Sequence, residues 1–191
     1  MIRPEPETKF LYHLCAPDMR GTVLYPLNEL HRRFPDVYDR EREKWAGRES
    51  VLEFVVPSLG VPWADTVNLS TLDPRLLVAA RQRLGIPISR LLSRRLARIP
   101  VERVTGIAAV RYGSASHWIN SSPGEDVPLE PPAHEFSAFD PDRYEETRVV
   151  PPRHLDDLER QRARGQLALG FVFVPHVLVA GPVELSGLEI A

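Results

Sequence analysis

A single cysteine, Cys15, excludes an intrachain disulfide framework and every cysteine-rich zinc or iron–sulfur site, so packing alone must hold this chain together. Nowhere do about 18 apolar residues run unbroken. The opening Met1-Ile-Arg-Pro-Glu-Pro-Glu-Thr-Lys also lacks the apolar core of a signal peptide. A cytoplasmic protein with no membrane partner is expected. Charge of one sign is missing too: 24 Lys and Arg stand against 26 Asp and Glu, a formal net charge of −2. Bulk electrostatics therefore names no partner, and nucleic acid would have to use a local basic patch. No G-x-S-x-G elbow is present, Gly181 to Gly187 has no phosphate-loop spacing, and none of His31, His117, His134 or His154 adds a ligand at zinc spacing. No metal is expected. Lysine is scarce beside arginine, as in a GC-rich bacterial source, and that bias carries no mechanism.

What the chain does have is 43% hydrophobic content over 191 residues, enough to bury one sizeable core. Its 19 prolines, roughly twice the usual share of about 5%, are spread along the chain and exclude long helices. Residues 1–9 read as an extended lead-in and 10–191 as one α+β domain. Phe10 to Cys15 and Thr22 to Tyr25 read as short strands, Leu27 to Phe34 and Asp36 to Trp45 as helices. Glu49 to Val56 and Trp63 to Leu69 read as strands. Asp73-Pro74 starts the clearest helix: aspartate cap, proline in the first turn, Leu76, Leu77, Ala80 and Leu84 on one face, Gly85 to close it. Ile88 to Ile99 reads as a basic amphipathic helix, or a helix followed by a strand. Further strands are expected at Pro100 to Val104 and Ile107 to Tyr112. Residues 113–135, polar and punctuated by glycine and proline, have the length of a lid or binding loop. Leu155 to Arg164 reads as a charged helix, followed by terminal strands over Leu167 to Val174 and His176 to Leu188. Strands at both ends around central helices predict a mixed or antiparallel sheet.

Two histidines sit inside apolar strands at opposite ends of the chain, His13 and His176. Each alone is a common kind of core residue, satisfied by a backbone carbonyl. Together they offer proton transfer or polar recognition near neutral pH, provided that their strands lie side by side and the rings face one hollow. Trp63 to Ser70 places Asp65 on one strand face and Thr66, Asn68 and Ser70 on the other. That pattern suits a half-exposed strand, or a row of hydroxyls and amides for ribose or phosphate. The arginines from Arg90 to Arg103, with Arg32, Arg33 and Arg48, make either a solvated face or a phosphate-binding stripe.

Tyr12-His13-Leu14-Cys15, then Asp65-Thr66-Val67-Asn68-Leu69 with Asp73-Pro74-Arg75-Leu76-Leu77, and finally Phe139-Asp140 to Tyr144 and Pro175-His176-Val177-Leu178-Val179 run collinearly along the chain. In that order they resemble the DarT-type, DUF4433-like branch of the ADP-ribosyltransferase fold. The resemblance implies an ADP-ribosyltransferase-like sheet with flanking helices and NAD as cofactor. It implies that Tyr12 and His13 hold the nicotinamide-side ribose, with Asp65, Thr66, Asn68 and Ser70 nearby and Arg48 on phosphate. The family's catalytic glutamate falls on His176, and a neutral imidazole cannot supply that anion. Its threonine after the histidine becomes Cys15, and the segment from His13 to Gly21 is shorter than the usual helix. The expectation is an NAD- or nucleotide-binding protein that modifies nucleic acid or a small molecule by an atypical mechanism, with His176 and His13 as catalytic groups. The competing expectation is a catalytically silent module of the same fold that contacts protein or nucleic acid. Oligomeric state is left open.

Overall fold

Frequent prolines cut the chain into short elements, and three of the five described α-helices begin on one. The computed structural model describes residues 8–47, 49–88, 94–115, 131–165 and 171–191. In chain order the elements are β1 (Phe10–Cys15), β2 (Val23–Leu24), α1 (Leu27–Arg33), α2 (Pro35–Glu43), α3 (Ser50–Glu53), β3 (Val67–Ser70), α4 (Pro74–Arg83), β4 (Arg95–Pro100), β5 (Ala109–Tyr112), β6 (Phe136–Ala138), α5 (Pro152–Ala163), β7 (His176–Val179) and β8 (Val183–Glu184). This is an α+β fold. Pro35, Pro74 and Pro152 each occupy a first turn, where the missing N–H costs nothing. At α4 the Asp73 carboxylate accepts the Arg75 N–H at 2.9 Å, and Gly85 closes the helix region with φ of +64°.

Six strands form one sheet in the order β4-β1-β3-β7-β5-β6, and every neighbouring pair is antiparallel. A two-stranded sheet of β2 and β8 packs beside it. One face of the large sheet presents Leu11, Val67, Leu69, Ala97, Ile99, Val177 and Val179 to a core completed by Leu24, Val183 and Leu185. The opposite face packs Val110, Tyr112 and Leu178 on Val51, Val56 and Trp63. β7 is therefore covered on both sides, with Val177, Leu178 and Val179 all at 0% exposure. That explains its unbroken apolar run where a half-exposed strand would alternate.

Several expectations need correction. Glu49 to Val56 is not a strand: residues 50–53 form α3, Val51 packs in the same cluster as Trp63, and an isolated bridge joins Val55 to Pro62. Trp63–Asp65 is a 3-10 turn held by the Thr66 N–H on the Trp63 carbonyl, so β3 begins later than expected. Val101–Val104 is likewise a 3-10 turn. Arg95–Pro100 form a strand where a basic helix was one option, and 89–93 lie outside the described residues. The strand expected over Leu167 to Val174 falls partly on undescribed 166–170; its described end is a turn closed by the Val174 N–H on the Phe171 carbonyl. His176 to Leu188 splits at Gly181, whose φ of +135° breaks the strand, into β7 and β8 of different sheets. Most consequential, β1 and β7 share a sheet but are not side by side. β3 lies between them.

Candidate functional site

β3 joins β7 over four residue pairs but meets β1 at a single one, Tyr12↔Ser70. Side chains satisfy the backbone on both sides of that pair. Toward the start of β1, the Glu146 carboxylate accepts the Phe10 N–H at 2.6 Å and the Tyr12 hydroxyl at 3.0 Å, while the Tyr144 hydroxyl donates to the Phe10 carbonyl at 2.8 Å. Toward its end, His13 Nδ1 donates to the Asn68 carbonyl at 2.9 Å and Arg94 donates to the Leu14 carbonyl at 3.2 Å. The strands splay here, and His13 fills the opening.

Beside His13 lies a hollow of about 60 Å3, walled by Met19, Tyr25, Phe34, Val37 and Glu41 among others. Its far wall is the β2–α1–α2 segment, which the prolines fold back over β1. With the ring proton committed to a carbonyl at Nδ1, neutral His13 presents Nε2 as an acceptor. Burial, followed by the nearby Lys44 and Arg94 charges, outweighs the Asn68 bond and lowers its pKa to about 4. His13 is thus an uncharged acceptor across the physiological range.

Cations crowd the same end. Arg94 bridges the Leu14 carbonyl and Glu41, at 3.2 Å each, and burial lowers its pKa. Glu41 also pairs with Lys44. Burial, then the Arg94 charge, brings Lys44 down to about 7. Arg20 stands over the Phe34 ring at 5.6 Å and Arg33 over Tyr25 at 4.7 Å, with the two rings 6.2 Å apart. Lys44 and Glu41 were missed by sequence reasoning, whereas Arg94 belongs to the Arg90-to-Arg103 run read as either a solvated face or a phosphate-binding stripe. A lysine and a glutamate one turn apart on a charged helix carry no signal that distinguishes them from solvated neighbours.

The other expected site residues are dispersed. Tyr12, Ser70, His176 and Tyr112 stand opposite one another across β1, β3, β7 and β5, so one sheet face carries all four. Tyr12, Ser70 and His176 each have a polar partner. Tyr12 is tied to Glu146, and burial, then that carboxylate, raises it to about 12. Ser70 donates to the Leu72 carbonyl at 2.8 Å. His176 bonds the Val174 carbonyl and meets the Phe171 ring edge-on at 5.7 Å; burial holds it near pKa 4, and His13 adds to that lowering. His176 does not line the hollow beside His13. Asp65, in the 3-10 turn, accepts from Asn28 at 2.9 Å, and buried Thr66 donates to the Trp63 carbonyl at 2.8 Å. Asn68 meets His13 through its backbone. Arg48 lies outside the described residues, as do Arg90 and residues 116–130 of the expected lid. The flanks of that lid are clamped by Glu135, whose carbonyl accepts from Gly113 and whose carboxylate accepts from Ala115, both at 2.8 Å.

No family model, curated protein or solved structure matches the chain. Its chemistry must be read from the site itself. Arg95 and Arg103 are spent on the Ile190 and Ser186 carbonyls, and Arg98 covers the Phe10 ring at 3.6 Å, so these three arginines of the expected stripe serve separate partners. Among the described residues no group of three His, Cys, Asp or Glu is placed to hold a metal ion, and no helix is long and apolar enough to cross a membrane.

Proposed function

We propose that the chain binds a nucleotide-type ligand, NAD or ADP-ribose as the leading cases, at the hollow beside His13. The observation that carries this reading is the His13–Asn68 bond: it fixes the ring tautomer and leaves a neutral acceptor on the hollow's wall, suited to a ribose hydroxyl. Tyr25 and Phe34 line the hollow with an arginine over each ring, and Arg20 and Arg94 supply positive charge for phosphate. Size limits the fit. A hollow of about 60 Å3 holds roughly four or five waters, well under the ~300–1,000 Å3 of whole-ligand pockets. One group of the ligand enters it, and a whole nucleotide seats only as α1 and α2 draw back from β1.

As an ADP-ribosyltransferase-like enzyme the chain would break the bond from ribose C1 to nicotinamide and pass that carbon to an acceptor, which loses a proton. Positive charge develops on the ribose as nicotinamide leaves. The neutral His176, standing where the resemblance puts a glutamate, supplies no compensating anion. That observation favours a second reading, binding without transfer. Calorimetric titration with NAD and ADP-ribose, combined with chromatography of released nicotinamide, tests both. Heat without nicotinamide fits the binding module; heat with nicotinamide, lost in His176→Ala that still folds, fits the enzyme. No heat at millimolar ligand removes the nucleotide reading.

A further inference from the structure

A second and larger cavity lies away from His13. It is an open bowl of about 320 Å3 lined by Ala115, Arg153, Asp156, Arg160 and Phe173, within the size range of small-molecule pockets. Arg153, Asp156 and Arg160 stand at i, i+3 and i+7 of α5, so the helical period places them on one face. Their heads are braced at the cavity wall: Arg153 donates to the Ala115 carbonyl at 3.1 Å, and Arg160 to the buried Asp157 carboxylate and the Asp156 carbonyl, each at 3.4 Å. A guanidinium carries five N–H donors, so these contacts leave capacity on both.

The opposite wall is held in an unfavourable shape. Phe173 has φ of +57°, the left-handed region that a bulky side chain avoids. Strain of this kind persists only where surrounding structure imposes it, and it gathers at binding sites. Here the imposing group is His154. It is fully buried on α5, donates from Nδ1 to the Val172 carbonyl at 2.7 Å, and so ties the Phe171–Val174 turn to the helix. Its Nε2 has no partner among the described residues, a buried cost that the fold tolerates at this junction. Two cationic forks and a strained aromatic residue thus face one bowl, with the Asp156 acceptor between the forks.

We propose that this cavity binds a small organic anion. Its phosphate or carboxylate group is taken by Arg153 and Arg160, its flat ring lies against Phe173, and Asp156 accepts from a hydroxyl or ring N–H of the same molecule. The site is independent of the hollow beside His13. The test is calorimetric titration of the full chain with phenyl phosphate, benzoate and inorganic phosphate. Phenyl phosphate or benzoate is expected to bind more tightly than inorganic phosphate, and whichever of the two is tighter names the preferred oxyanion. Arg153→Gln and Arg160→Gln, both at solvent-facing positions, are each expected to weaken that binding about tenfold or more. Arg143→Gln, at a side chain 90% exposed outside the bowl, is expected to leave it unchanged. Absence of binding by both aromatic anions at millimolar concentration, equal binding of inorganic phosphate, or affinity unaltered in both arginine variants would overturn the assignment.

Discussion

His13 donates its Nδ1 proton to the main-chain carbonyl of Asn68 at 2.9 Å, on the neighbouring strand but beyond the one residue pair that joins the two strands. A side chain has replaced a ladder bond. His13→Ala therefore leaves a part-buried carbonyl unpaired, and unfolding in urea is expected to show a loss of about 1–3 kcal/mol. A change within a few tenths of a kcal/mol contradicts that role.

Acid should weaken the fold through its histidines. Unfolded histidine titrates near 6.5, whereas His13 and His176 are lowered to about 4. Between these values the unfolded chain binds more protons than the native one, so stability rises with pH across this window and this contribution is flat above it. The denaturation midpoint is expected to fall as pH drops from 6.5 to 4, less steeply in a His13→Gln, His176→Gln double variant. Equal slopes in the two proteins would contradict it.

Lys44 acts in a higher window. Its pKa falls from 10.5 to about 7 on folding, so the unfolded chain again holds more protons between those values and stability should climb with pH across them. With 41% of the side chain exposed, only the direction is expected. Lys44→Met should flatten the climb, and an unaltered pH profile would show that the Glu41 pairing keeps this lysine charged.

Glu146 straps β1 to the segment that follows β6. Glu146→Gln keeps its shape but removes the charge that helps raise Tyr12 to about 12. In an ultraviolet pH titration the Tyr12 transition should move down toward ordinary tyrosine, part of the rise remaining because burial is the larger cause. Glu146→Ala also strands the Phe10 N–H and should cost about 1–3 kcal/mol in denaturant unfolding.

Local chemistry was legible and long-range arrangement was not. Asp73-Pro74 announces α4 because cap and first turn are set within a few residues, and Asp73→Ala is expected to cost about 0.5–2 kcal/mol in thermal unfolding. β1 was legible from its short apolar run. Glu49 to Val56 was misread because β-branched valines favour strands, whereas the packing of Val51 in the Trp63 cluster selects a helical turn. The separation of β1 from β7 was invisible, since two apolar segments reveal nothing about a third inserted between them. At the site, His13 stood out as a polar residue in an apolar run. Glu146 did not, because it closes the charged stretch Glu145-Glu146 that resembles any solvated loop. Its partners on β1 lie 134 and 136 residues away in sequence.

The nucleotide-binding reading is tested most directly by a long-range nitrogen–proton NMR spectrum of the imidazoles, recorded near neutral pH with and without NAD. Free protein should show His13 neutral, protonated at Nδ1 and bare at Nε2, and added NAD should shift the Nε2 resonance with saturation. A His13 signal from the opposite tautomer or the charged ring, or an Nε2 resonance unmoved at millimolar NAD, would contradict it.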